Sequence, residues 1–149
     1  MYRRAFLCLA LLAFGWAGPM QAEPSAAEDA PTMTKIRVIL PDATLTATLD
    51  DTAAGRSFAA LLPLDLTLED YHGIEKISDL PGKLDTTGAP RAYKPETGDI
   101  TLYAPWGNLA IFIKPFSSSA GLVRLGAFEG TIAPLKKSGA LSARFELAE

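Results

Sequence analysis

Residues 98–114 read GDITLYAPWGNLAIFIK, two short runs of alternating character joined by Pro105-Trp106-Gly107-Asn108. Ile100 and Leu102 alternate with Thr101 and Tyr103; Leu109, Ile111 and Ile113 alternate with Ala110 and Phe112. Successive side chains of an extended strand point to opposite faces. Each run therefore presents one apolar row for a core, and the second face carries Tyr103, Asn108, Ala110 and Phe112. Such runs around a Pro- and Gly-bearing turn predict an antiparallel hairpin.

The same period extends outward in both directions. Ile36, Val38 and Leu40 alternate with Lys35, Arg37 and Ile39, and after the turn Pro41-Asp42-Ala43, Leu45, Ala47 and Leu49 alternate with threonines. The period then changes: Ala54, Phe58, Leu61 and Leu62 share one helical face, with Asp51 as the expected N-cap and Pro63 as the stop. Leu64, Leu66 and Leu68 give a third strand. Residues 71–98, with Pro81, Gly82, Gly88, Pro90 and Pro95, have no regular period and read as one long connection, a length that often carries function. Residues 122–128 and 141–147 are strands, residues 131–137 a short helical turn, and Ser117-Ser118-Ser119 a flexible hairpin loop. Seven strands and one good helix predict a mainly β protein, a closed or nearly closed antiparallel β-barrel with a helical cap. Closure removes the exposed edges of an open sheet.

Ahead of the strands, residues 1–22 have the order of a signal peptide: Arg3 and Arg4, an apolar run, then Pro19 and the small Ala22. The run is short for a bilayer-spanning helix, which needs about 20 apolar residues, so an exported chain, periplasmic or secreted, without a stable membrane span after cleavage is expected. Residues 23–33 read as a flexible tether and residues 34–149 as one domain. The only cysteine, Cys8, leaves with the leader, so the mature domain relies on its core and not on disulfides. The leader holds two of the 14 basic residues and none of the 17 acidic ones, which moves the net charge from −3 to about −5. That balance, without a basic cluster, argues against nucleic acid as a partner.

Chemistry-bearing motifs are sparse. A zinc site needs several Cys, His or carboxylate ligands, and one histidine, His72, with no mature cysteine argues against one. There is no Gly-x-Ser-x-Gly elbow, no Gly-x-Gly-x-x-Gly and no phosphate-binding Gly-Lys-Ser/Thr loop. No metal and no cofactor are expected.

Several segments taken in order carry a resemblance: KIRVIL from Lys35, AAGRSFAALLPLDLTLEDY from Ala53, EKISDLPGKL from Glu75, GDITLYAPWGNLAIFIK from Gly98 and GLVRLGAFEG from Gly121. Together the chain resembles the bacterial cyclophilin-like family over residues 34–147. The resemblance implies a closed antiparallel cyclophilin-like barrel with one or two capping helices. Cyclophilins proper are peptidyl-prolyl isomerases, marked by a Phe-His-Arg-like strand and a Gly-rich stretch. This sequence has neither, and His72 stands in an unrelated Tyr-His-Gly loop, so no catalytic residue carries over.

Prolyl isomerisation needs only an apolar pocket and a cationic donor at the amide nitrogen, against a barrier of about 20 kcal/mol. Arg124, inside the apolar run Leu122-Val123-Arg124-Leu125, is the candidate catalytic donor, although pairing with a carboxylate is the stronger reading of it. Tyr103, Trp106, Asn108, Phe112 and Arg124 form the candidate ligand-binding set, with Tyr93 and Arg91 as further candidates in the irregular connection. Core packing of Phe112 and turn packing of Trp106 and Asn108 are the competing readings. The leading expectation is a domain binding a proline-containing peptide or other small ligand without efficient catalysis. A divergent isomerase acting on exported proteins is the alternative.

Overall fold

In a computed structural model, residues 32–149 and Gly18 are described. The signal peptide expected over residues 1–22 and nearly all of the tether expected over 23–33 lie outside the described residues.

Period-2 alternation places one apolar row from each long strand on the inside of a closed barrel. The strands are β1 (Thr34–Ile39), β2 (Thr44–Leu49), β3 (Leu64–Tyr71), β4 (Glu75–Asp79), β6 (Asp99–Tyr103), β7 (Asn108–Phe112), β9 (Leu122–Phe128) and β10 (Leu141–Leu147). They are hydrogen-bonded in the order β1-β10-β3-β4-β7-β6-β9-β2, which closes on itself. All adjacent pairs are antiparallel. The interior is filled by Ile36, Val38, Ala47, Leu49, Leu68, Ile100, Leu109, Ile111, Leu125 and Phe145, all fully buried or nearly so. β5 (Ala92–Tyr93) and β8 (Ser119–Ala120) pair outside the barrel as a two-stranded ribbon.

The connection β2–β3 carries helix α1 (Ala53–Ala59), and the connection β9–β10 carries a 3-10 turn (Ala133–Lys136). Because the strands alternate in direction, these connections cap opposite ends of the barrel. Phe58 of α1 is fully buried and meets Phe145 edge to face at 6.0 Å, and Leu135 of the 3-10 turn is buried likewise. Thr52, not the expected Asp51, caps α1: its hydroxyl accepts the Gly55 N–H at 3.0 Å. Asp51 instead pairs with Arg56 at 2.5 Å. The helix ends at Ala59, ahead of Pro63.

The expected long connection over residues 71–98 holds two strands, β4 and β5, and the expected Ser117-Ser118-Ser119 loop runs into a third, β8. β4 escapes a period-2 reading because its polarity is inverted. Lys76 faces the barrel interior beside Ile111, its registered partner, while Glu75 and Ile77 face outward. Lys76 is 0% exposed, and its ammonium group donates to Lys137 O at 2.6 Å and Gly139 O at 3.0 Å while pairing with Asp70 at 2.5 Å. The three donors of a lysine are thereby used, and the segment after the 3-10 turn is fastened to the barrel. Among the described residues no helix is long and apolar enough to cross a membrane.

Candidate functional site

Two outer regions of the barrel are finished differently. Around β1, β3 and β10 the outward side chains form cross-strand ion pairs, Arg37–Glu146 at 2.7 Å and Arg144–Asp65 at 2.8 Å. Around β4, β7, β6 and β9 they are largely aromatic and aliphatic, with Glu75, Asn108 and Arg124 set among them. Registered neighbours set the rows: Tyr71 beside Glu75 beside Phe112, Ile77 beside Ala110, and Asn108 beside Tyr103 beside Leu122. Ala110, Phe112 and Leu122 pack there as a second apolar cluster, flanked by Ile74, Ile77, Tyr93 and Tyr103. This is why β7 is buried along its whole length, on both faces.

The β5–β8 ribbon lies across this outer face. Gly121 N donates to Arg91 O at 3.0 Å, and Phe116 N to Pro95 O at 3.2 Å. Tyr93 packs into the outer cluster and donates its hydroxyl to Asp99 Oδ2 at 2.6 Å, which also accepts the Glu96 N–H at 2.8 Å. Burial first, then the bond to Asp99, pushes the Tyr93 phenol up to about 12.

Beside the ribbon is a cavity of about 510 Å³ whose lining includes Tyr71, Glu75, Tyr103, Trp106, Phe112 and Phe116. Trp106 is 63% exposed. It stands edge to face against Tyr103 (ring centroids 5.2 Å, 85°) and Tyr71 (6.0 Å, 88°), and His72 caps Tyr71 at 4.3 Å. The turn holding Trp106 is tightly built: Gly107 takes φ +69° and donates to Tyr103 O at 2.8 Å, and Ala104 N donates to Gly121 O at 2.8 Å. Gly121, at φ +80°, leaves room for the Pro105 ring, which a Cβ would meet at 2.8 Å. Asn108 also lines the cavity; its amide nitrogen donates to Leu109 O at 3.1 Å, and its buried Oδ1 has no hydrogen-bond partner among the described residues. Half-burial pushes the Glu75 carboxyl up from its ordinary value, and the nearby His72 partly offsets this.

Of the candidate set, Tyr103, Trp106, Asn108 and Phe112 share this cavity. Arg124 does not. It shares their sheet face, but the ribbon stands between, and Arg124 lines a second cavity of about 400 Å³ with Asp50, Thr52 and Tyr93. Its Nε lies 3.4 Å from Asp50 Oδ2 and 3.8 Å from Asp99 Oδ1. Tyr93 belongs to that second cavity too, and Arg91 is exposed and contributes its carbonyl to the ribbon. Tyr71, Glu75, Ile77 and Phe116 join the first cavity although the sequence reading passed over them. Three of the four lie at or inside the segment read as irregular, where only the alternation Glu75-Lys76-Ile77 could have flagged them. Among the described residues no three His, Cys, Asp or Glu side chains are grouped to hold a metal.

No curated protein matches the chain. Among solved structures, the hypothetical protein AF2241 from Archaeoglobus fulgidus, determined in solution, shares the fold with a TM-score of 0.61. It is 14% identical in sequence, and the match covers 81% of this chain and 99% of that one. The model of the Cyclophilin-like family matches residues 38–146, most of the barrel from β1 through β10. The chain belongs to the Cyclophilin-like family.

Proposed function

We propose that this protein is an exported binding domain that takes a peptide segment or other small ligand into the aromatic cavity on the outer face of its barrel, without turning it over. The observation that carries the reading is Trp106: a large indole left 63% exposed at the mouth of a cavity of about 510 Å³. Ligand sites are concave, mostly apolar and of this size, about 300–1,000 Å³, with a few polar groups that fix orientation. Asn108 and Glu75 supply such groups. Export rests on the charge–apolar–small order of residues 1–22.

Binding is preferred to isomerase chemistry because of Arg124. A donor must reach the reacting amide to act, and the arginine is across the ribbon from the aromatic cavity with Asp50 and Asp99 as neighbours. Exchange NMR on a panel of X-Pro peptides with the full chain tests both readings at once. Shifted peptide resonances without faster exchange, lost in Trp106→Ala, are expected. Accelerated exchange that disappears in Arg124→Ala would establish the isomerase reading instead. Unshifted peptides, together with no response to small ligands, would remove the cavity as a binding site.

A further inference from the structure

The aromatic cavity contains one acidic side chain, and its surroundings decide what it can recognise. Glu75 sits between Tyr71 and Phe112 in register, on the outward face of β4. No lysine or arginine lines the cavity; His72 is the one lining group able to carry positive charge. Among the described residues the Glu75 carboxylate makes no direct hydrogen bond or ion pair, with His72 as its electrostatic neighbour, in contrast to the paired carboxylates of Asp50, Asp65, Asp70 and Glu146. A half-buried carboxylate without a partner is unfavourable, and an incoming cation relieves that cost.

The walls favour the same ligand. An aromatic ring carries negative charge on its face and attracts a cation within about 6 Å of its centroid, tryptophan most strongly. Trp106 stands nearly perpendicular to both Tyr71 and Tyr103, at 88° and 85°, so the indole presents its surface in a different direction from either phenol ring, and all three line the one cavity. An alkylated ammonium group suits such walls: its charge is spread over an apolar shell and is cheaply desolvated. A primary ammonium, strongly hydrated, suits them less.

We propose that the cavity is a receptor for a small free organic cation bearing an alkylated ammonium group, held by Trp106, Tyr71 and Tyr103 with Glu75 as the counter-charge. This rests on the reading of the cavity as a binding site and narrows its ligand by charge.

Calorimetric titration of the full chain with choline and with its neutral carbon analogue, at mildly alkaline pH, tests it. The analogue has a quaternary carbon in place of the ammonium nitrogen, so the pair differs in charge and hardly in shape. Choline is expected to bind about tenfold more tightly, the scale of one desolvated cation–π contact plus a partly buried charge pair. Glu75→Gln, with its fold checked by circular dichroism, is expected to bring the two ligands to within about threefold of each other. Trp106→Leu, at an exposed position, gives a second handle and is expected to weaken choline more than the analogue. Equal binding of the pair would overturn the cation proposal and leave the cavity a binding site. Binding of neither would overturn the cation proposal, and only unshifted X-Pro peptides in addition would overturn the binding-site reading. A preference for choline undiminished in both variants would overturn the assignment to these residues. Sedimentation with phosphatidylcholine vesicles without heat from free choline would overturn the free-cation source.

Discussion

Glu75 and Lys76 are neighbours on one strand and opposites in every physical respect. Lys76 points into the barrel, has no exposed surface, and uses its ammonium on two carbonyls and a carboxylate. Glu75 points outward into the aromatic cavity, half-buried, its carboxylate without a direct hydrogen bond or ion pair among the described residues and with only His72 acting on it. A charge whose valences are all used is part of the architecture. A charge left open in a concave, apolar place is available to something else. Burial alone would have ranked Lys76 as the more suspicious residue; the partner inventory reverses the order.

The sharpest test of that contrast is Lys76→Ala. It removes a buried aliphatic stem and three polar contacts together, and should lower the unfolding free energy by about 3 kcal/mol, measured by urea denaturation. A loss below about 1 kcal/mol would mean that Lys76 is not the fastening described.

The pH dependences of the pair's surroundings should have opposite signs. The Lys76 ammonium, then the Gly139 N–H at 2.6 Å, hold the Asp70 carboxyl below its ordinary value of 3.8. A depressed folded pKa gives stability that is present above 3.8 and is lost as pH falls through the lower folded value. Asp70→Asn should therefore cost stability at neutral pH, and the gap should close on acidification below 3.8. Burial raises Glu75 above 4.5. A raised folded pKa means a penalty that is full above the folded value and relieved as pH falls toward 4.5. Glu75→Gln should gain stability at neutral pH and lose that gain over this window. Paired melts of both variants across pH read the two signs directly; a common sign would dissolve the contrast.

The smallest effect on stability belongs to an exposed aromatic, Trp106. Trp106→Ala should change the unfolding free energy by no more than about 0.5 kcal/mol, because its ring rests on two tyrosines that remain in place. The same substitution should abolish ligand-induced shifts. A large stability loss would return Trp106 to the role of turn packing.

These contrasts also explain what could be read from the residues alone. β1, β2, β3, β6, β7 and β10 were legible because each sets apolar side chains on the core side at a period of two, and β9 was legible as an apolar run. β4 was not, since it turns a lysine inward and an isoleucine outward. β5 and β8 span two residues each, too short for any period. Asp51 and Thr52 are both good caps, and spacing could not choose between neighbours. Parity placed Tyr103, Asn108 and Phe112 on one sheet face, which is where they stand, and Arg124 was set beside them as a charge inside an apolar run. It could not reveal that the ribbon divides that face and leaves Arg124 on the far side. Which face a side chain takes is local information, whereas what lies over the face comes from residues far along the chain.

The ribbon itself has a consequence for how such a domain can change over generations. The barrel closes its hydrogen-bond circuit without β5 or β8, so insertions or exchanges in the segments that carry them can reshape the cavity wall while the barrel's hydrogen bonding remains whole. One wall of the cavity, at Ser119 and Ala120, can thereby be rewritten by selection, while the wall of Tyr71, Glu75 and Tyr103 is inherited with the barrel strands themselves.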